Sequence, residues 1–137
     1  MKTASIARRS MLTATAALTA GALIPGDFAM AQKSTAGQKN YGDIAPGFAD
    51  LTDRVLNDEV WNRPGLSARD RSLVTISSLV ALYRHNELAV HVKKGIDNGL
   101  KKEEIVEAVT QLAFYAGWPV ANTAMPILRK AFEEAGK

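Results

Sequence analysis

The fold of this chain is decided by residues 67–83, SARDRSLVTISSLVALY. The run from Leu73 to Leu82 is apolar on nearly every side of a helical wheel, which is typical of a helix buried over most of its circumference. Ser67 precedes the run as an N-cap residue, and Asp70 places a carboxylate three residues later, close to the form of a capping box. This stretch therefore predicts a central helix against which the other elements pack.

Helical periodicity continues on both sides of this segment. The first predicted helix runs from Pro46 to Val60, and the central helix is the second. A third ends at Asn98-Gly99, a fourth runs from Lys101 to Ala116, and a fifth follows Gly117-Trp118-Pro119. Pro126 lies inside the fifth and predicts a kink or break, because proline removes a helical hydrogen bond and clashes with the preceding turn. No segment shows period-two alternation. The chain is thus predicted to be all-α, with about five helices.

The first thirty-one residues have the composition of an export signal. Lys2, Arg8 and Arg9 form a basic region, residues 11–24 are apolar, and Ala29-Met30-Ala31 is a small-x-small cleavage signal. The apolar run is shorter than the roughly 20 residues of a membrane span, so no stable membrane anchor is expected. Arg8-Arg9 resembles the twin-arginine export signal, with an ordinary secretory signal as the alternative. The sequence therefore predicts a periplasmic or secreted protein.

Three regions follow from this reading: a signal peptide over 1–31, a flexible polar segment over 32–45, and a helical domain over 46–137. Removal of the signal leaves 14 basic and 13 acidic residues, which are interspersed along the chain. The small net charge and the lack of a basic cluster exclude nucleic-acid binding. A domain of this size buries a modest core, and without cysteine no disulfide supplements it. A homo-oligomer is therefore expected.

Three ionisable residues, Arg84, Glu87 and His91, are spaced to share one face of the third helix. Because the chain has no cysteine, the carboxylate and the imidazole are the evident groups for proton transfer. The alternative is a surface Glu87–His91 pair worth about 0.2–0.5 kcal/mol. Two histidines without an acidic cluster at ligand spacing predict no metal site.

Several ordered blocks of the sequence carry a family resemblance. They are Val60-Trp61-Asn62-Arg63-Pro64-Gly65-Leu66-Ser67, Arg69 to Ile76, Glu87-Leu88-x-x-His91, Asp97-Asn98-Gly99, and Leu112 to Pro119. With these blocks the chain resembles the carboxymuconolactone decarboxylase family from about Phe48 to Ala124. The resemblance implies the all-helical fold of the alkylhydroperoxidase D proteins. It also implies assembly as trimers or hexamers, with sites near subunit contacts.

The same resemblance limits the reactions that are expected of this chain. The peroxidase branch of the family uses Cys-x-x-Cys-x-x-x-His, and that spacing falls here on Arg84, Glu87 and His91. Both cysteines are replaced, so thiol peroxidase activity is expected to be absent. The arrangement is similar to the cysteine-free branch, which includes the decarboxylase acting on γ-carboxymuconolactone. A lyase acting on a small carboxylated lactone or related acid, without a cofactor, is therefore implied.

The implied reaction assigns roles to the ionisable residues. His91 would protonate the carbanion left by carbon dioxide, and Glu87 would orient or charge His91. Arg84 or Arg71 would clamp a substrate carboxylate, since guanidinium matches carboxylate in bidentate geometry. Arg71 is equally placed to pair with Asp70 at the start of its helix.

Two aromatic residues, Tyr115 and Trp118, would wall the pocket, with the phenol donating a hydrogen bond to the lactone oxygen. They are equally suited to the core or to an interface. The alternative function, from a different class, is a non-catalytic helical oligomer that binds a small ligand or a protein partner. The predicted export favours this alternative, because the catabolic decarboxylase is expected in the cytoplasm where its substrate is made.

Overall fold

The computed structural model describes residues 33–136, and the predicted signal peptide lies outside them. The helices are α1 (Ala36–Tyr41), α2 (Pro46–Asp50), a π-helical segment (Leu51–Glu59), a 3₁₀ turn (Val60–Asn62), α3 (Ala68–Ala81), α4 (His85–Asp97), α5 (Lys102–Tyr115) and α6 (Trp118–Ala135). Residues 33–136 contain no strand, so the predicted all-α class is confirmed, with six α-helices where about five were expected.

The last four helices form a bundle whose directions follow from three contacts. Arg69 at the start of α3 pairs with Glu104 at the start of α5, so these two helices are parallel. Asn98 after α4 donates to Ser72 near the start of α3 at 2.9 Å, which sets α4 antiparallel to α3. Lys102 at the start of α5 donates to the carbonyl of Phe132 near the end of α6 at 3.0 Å. The α3–α4 and α5–α6 turns therefore lie at the same end of the bundle.

The core lies between these four helices. Its fully buried side chains include Ile76 and Val80 of α3, Leu88 of α4, Ile105 of α5 and Leu128 of α6. Removing such side chains from water is the main source of stability, at about 1.5–3 kcal/mol each. The core is thus shared by all four helices of the bundle.

The central helix α3 is less buried than its sequence predicts. Its buried positions form one stripe, Ser72, Ile76 and Val80, whereas Val74 and Leu82 are 56% and 69% exposed. The prediction of burial around most of α3 is therefore wrong for this single chain. The physical reason is that α4, α5 and α6 pack against one side of α3 and leave the other side uncovered.

The predictions made for the helix ends at Ser67 and Gly99 are confirmed. The Ser67 hydroxyl accepts a hydrogen bond from the backbone N–H of Asp70 at 3.0 Å, as an N-cap does. Gly99 adopts a φ of +96° after α4, a conformation that favours glycine. Pro126, by contrast, does not break α6. Residues on both sides of it, Ala124 and Leu128, are buried in the same core, and this packing outweighs the local cost of about 3 kcal/mol.

The segment predicted to be flexible, 32–45, contains α1 and is held by the buried carboxylate of Asp53. Asp53 accepts hydrogen bonds from the N–H groups of Gly37 at 2.7 Å and Gln38 at 3.0 Å, and from the Ser34 hydroxyl at 2.8 Å. Burial raises the pKa of Asp53, but these hydrogen bonds outweigh burial and lower the pKa overall. A Cβ at position 37 would lie 2.4 Å from the carbonyl oxygen of Ala49, so only glycine permits this approach. The flexible-segment prediction thus differs from the structure.

Replacing Asp53 with alanine is expected to release α1 while the bundle stays folded, because three donors lose their acceptor. Hydrogen–deuterium exchange should rise at the amides of Gly37 and Gln38 and stay unchanged in α4. The control is Asp50→Ala, which removes only an exposed pair with Arg54. Equal exchange at the α1 amides in both variants would contradict the assigned role of Asp53.

Candidate functional site

The predicted acid/base residue His91 lies in the middle of α4, against the indole of Trp61. The two rings are stacked, with centroids 6.4 Å apart and an interplanar angle of 20°. Trp61 is brought there by the 3₁₀ turn that ends the helical span begun at Pro46. Within residues 33–136, the buried Nδ1 atom of His91 has no hydrogen-bond partner. One ring nitrogen of His91 is therefore uncommitted inside the protein.

The electrostatic surroundings of His91 favour its neutral form. Desolvation lowers the pKa of His91 most, the nearby charge of Lys94 lowers it further, and the carboxylate of Glu87 raises it in part. The balance sets the pKa below its ordinary value of about 6.5. The imidazolium that forms here is therefore a stronger acid than a solvent-exposed one.

The predicted stripe of three charged residues is reduced to two. Glu87 and His91 both lie on α4, with Glu87 exposed in the first turn, where a carboxylate suits the positive helix end. Arg84 is the N-cap residue, one position before the helix begins, and the prediction that it lies within the helix is wrong. The cause is Tyr83, whose φ of 57° turns the chain between α3 and α4.

The guanidinium of Arg71 is engaged in holding a turn. Its Nη2 atom donates to the carbonyl of Arg63 at 2.9 Å and to that of Leu66 at 3.4 Å. Arg71 also lines a cleft of about 370 Å³ formed with that turn. Its Nε atom is buried without a partner within residues 33–136. Arg69, rather than Arg71, pairs with Asp70, so the predicted Arg71–Asp70 pair does not form.

The two aromatic residues predicted to wall a pocket lie at one end of the bundle. Tyr115 ends α5 and Trp118 begins α6, and they are 79% and 59% exposed. Trp118 contacts Phe114 edge-to-face at 6.0 Å between centroids. Phe114 is itself 76% exposed. In the single chain these rings belong to a surface, and their role toward a substrate stays a prediction.

A cleft of about 420 Å³ opens beside Trp61. Its lining includes Ser34 from the N-terminal segment, Asn57 from the π-helical segment and Lys94 from α4. Lys94 lies one helical turn after His91, and its Nζ atom sits 3.3 Å from the centroid of the Trp61 ring. Trp61 thus lines the cleft and also stacks on His91, while His91 itself is not among the lining residues.

Trp61 and Lys94 are absent from the residues predicted for the site. Trp61 stands within one of the family-like blocks, and Lys94 follows His91 at the spacing that places two residues on one helical face. Those signals were present in the sequence. The π-helical winding that sets the position of Trp61 has no comparable signal in the sequence, because π-helices are rare in proteins.

Comparison with known proteins gives consistent matches. The model of the carboxymuconolactone decarboxylase family matches residues 46–130. The chain is 39% identical over 98 residues to 4-carboxymuconolactone decarboxylase of Acinetobacter baylyi, covering 72% of this chain and 73% of the relative. It is 37% identical over 75 residues to nitrosuccinic acid decarboxylase of Metarhizium robertsii, covering 55% of this chain and 52% of the relative. An uncharacterized 15.0 kDa protein of Paracoccus denitrificans is 28% identical over 78 residues.

None of the helices between residues 33 and 136 has the length and apolar character needed to cross a membrane.

Proposed function

The chain belongs to the carboxymuconolactone decarboxylase family, and we propose that it removes a carboxyl group from a small carboxylic acid without a cofactor. Two relatives are named for the decarboxylation of 4-carboxymuconolactone and of nitrosuccinic acid. A lactone carbonyl and a nitro group both withdraw electrons. The proposed substrate class is therefore a small acid in which such a group can hold the electron pair left by departing carbon dioxide.

The observation that carries the proposal is the environment of His91. In the proposed step the bond between the substrate carbon and its carboxylate breaks, carbon dioxide leaves, and the electron pair delocalises into the electron-withdrawing group. The imidazolium of His91 then transfers a proton to that carbon and is reprotonated from water. A half-buried imidazole with an uncommitted Nδ1 atom suits this transfer, and its lowered pKa makes its acid form a ready donor.

Glu87 has a supporting role in the proposal. Its charge partly offsets the effects of burial and of Lys94 on the pKa of His91, which keeps more imidazolium present. The exposed Arg84, the turn-bound Arg71 and the surface rings of Tyr115 and Trp118 remain predicted substrate contacts. The absence of cysteine leaves no thiol pair for peroxide reduction, and the proposal does not include that activity.

The direct test is carbon dioxide release by the full-length chain, with 4-carboxymuconolactone and nitrosuccinate supplied separately. Saturable release above the spontaneous rate with either acid supports the proposal. Release equal to the spontaneous rate with both acids, from protein shown to be helical by circular dichroism, would overturn it. The second outcome would favour the non-catalytic helical oligomer.

Assembly as a homo-oligomer is part of the proposal. Five large apolar side chains are exposed at the turn end of the bundle, and we call them the end patch: Leu82, Tyr83, Phe114, Tyr115 and Trp118. Exposed apolar groups clustered in this way are typical of protein interfaces. Light scattering is expected to give a mass of at least three chains, and the double variant Phe114→Ser/Tyr115→Ser is expected to lower it. A monomeric wild-type protein would contradict this expectation.

Export from the cytoplasm stays a prediction based on residues 1–31 alone.

A further inference from the structure

Lys94 is held in an unusual position for a lysine. Lysine side chains are mostly exposed, and the neighbouring Lys93 follows that rule, with its ammonium group paired to Asp97 at 2.8 Å. Lys94 is only partly exposed, and its Nζ atom lies 3.3 Å from the centre of the Trp61 ring. No carboxylate among residues 33–136 forms an ion pair with it. The described chain therefore supplies a cation–π contact for Lys94 but no counter-ion.

Lys94 lines the cleft of about 420 Å³ described above, together with the Trp61 ring over which its ammonium group lies. The other lining residues are uncharged: Ser34, Asn57, Asn62, Asn98, Trp61 and two alanines. Lys94 is thus the single formal charge among the lining residues. The volume and the hydrogen-bonding side chains suit a small polar ligand rather than a long apolar one.

We propose that this cleft binds a small carboxylate anion, with the ammonium group of Lys94 as its contact. The ion pair would form in a partly dehydrated site, where charge-assisted hydrogen bonds are strongest. Burial lowers the pKa of Lys94 because the ammonium lacks full hydration. An anion in the cleft would supply the counter-ion that residues 33–136 do not provide for Lys94.

The cleft lies close to the residues of the proposed function. That the bound anion is a substrate rests on the proposed function. Lys94 and His91 are three residues apart on α4 and both contact Trp61. A succinic acid carries two carboxyl groups, of which only one is lost on decarboxylation. The carboxylate that is retained would pair with Lys94, and the reacting carbon would then lie toward His91. Lys94 would thereby select diacids over monoacids.

Succinate is a suitable probe for binding because it is a diacid without a group that promotes decarboxylation. Isothermal titration calorimetry with the full-length chain is expected to show succinate binding and much weaker binding of the uncharged succinamide. Lys94→Met, which keeps the length of the side chain without its charge, is expected to weaken succinate binding about 10- to 100-fold. Lys94→Arg is expected to restore most of it.

The matched control is Lys93→Met, which removes the adjacent charge on α4 and should leave succinate binding unchanged. Should Lys94→Met fold poorly by circular dichroism, Lys94→Gln provides a second neutral variant. Succinate binding by both neutral variants with wild-type affinity, or an absence of succinate binding by the wild-type chain, would overturn the inference.

Turnover distinguishes this inference from the proposed function. In a chain that releases carbon dioxide, Lys94→Met is expected to raise KM with a smaller change in kcat, as loss of a binding contact does. A wild-type KM in that variant would overturn the inference and leave the proposed function standing. If no carbon dioxide is released but succinate binding depends on Lys94, the proposed function fails and the anion site stands.

Discussion

Replacing His91 with asparagine is expected to lower kcat/KM for carbon dioxide release by about 10²- to 10⁴-fold, the range that a positioned acid or base contributes. Asparagine is uncharged and cannot supply the proton that the carbanion requires at neutral pH. Its side chain is smaller than imidazole, so the contact with Trp61 should weaken without placing a charge in the protein. Steady-state carbon dioxide release at several substrate concentrations measures the effect.

The pH dependence gives an independent readout of the same role. Burial and Lys94 hold the pKa of His91 below about 6.5, so the fraction of imidazolium falls as the pH rises through that lowered pKa. The kcat/KM of the wild-type protein should therefore decline with increasing pH in the range below about 6.5. The decline should be absent from the residual activity of His91→Asn. A wild-type rate that rises with pH through this range would assign His91 to proton removal instead.

His85 provides a matched control because it is the other histidine of the chain and the first residue of α4. Its ring contacts Tyr83, with centroids 5.1 Å apart, at the turn between α3 and α4. The Nε2 atom of His85, like the Nδ1 atom of His91, is buried without a hydrogen-bond partner within residues 33–136. His85→Asn is nevertheless expected to retain kcat/KM within about threefold of the wild type, because it removes no group of the proposed proton transfer. Equal losses in both histidine variants would contradict a specific role for His91.

Replacing Leu88 with alanine is expected to lower the free energy of unfolding by about 2–5 kcal/mol. Leu88 is fully buried in α4 and packs in the core formed by α3, α5 and α6. The loss combines the transfer energy of the removed methyl and methylene groups with the cavity they leave. Urea denaturation, followed by circular dichroism at a fixed protein concentration, measures the change in the unfolding midpoint.

Val90→Ala is the control for this prediction, because Val90 lies on the same helix with 69% of its surface exposed. Its effect should stay near 0.5 kcal/mol in a single chain. A loss as large as that of Leu88→Ala would show that Val90 is covered in solution. That result would place a subunit contact of the proposed oligomer on this face of α4.

The family and the helical class could be predicted from the sequence because both rest on local signals. Ser67 caps α3, Gly99 ends the α4 region in the left-handed conformation, and the core positions follow helical periodicity. Each signal depends on residues a few positions apart. Pro126 shows the limit of such signals: its local cost predicts a kink or break, but α6 continues through it because residues on both sides are buried in the core.

The candidate site was predictable only in part. The sequence predicts that His91 and Glu87 share one helical face, because they are four residues apart. The sequence leaves Arg71 between a carboxylate clamp and a structural pair with Asp70, and in the structure its guanidinium donates instead to the carbonyls of Arg63 and Leu66. A guanidinium can donate hydrogen bonds either to a carboxylate or to backbone carbonyls. Its sequence position therefore could not distinguish the two uses.

The sequence by itself determined the family, the all-α class and the placement of Glu87 and His91 one turn apart on one helix, because helical spacing and ordered motifs are properties of neighbouring residues. Only the tertiary structure decided what surrounds His91. The approach of Trp61 depends on the winding of residues 51–62, and the placement of Lys94 depends on where that indole lies. Burial and unpaired charge arise between segments distant in the chain, so they exist only once those segments have packed.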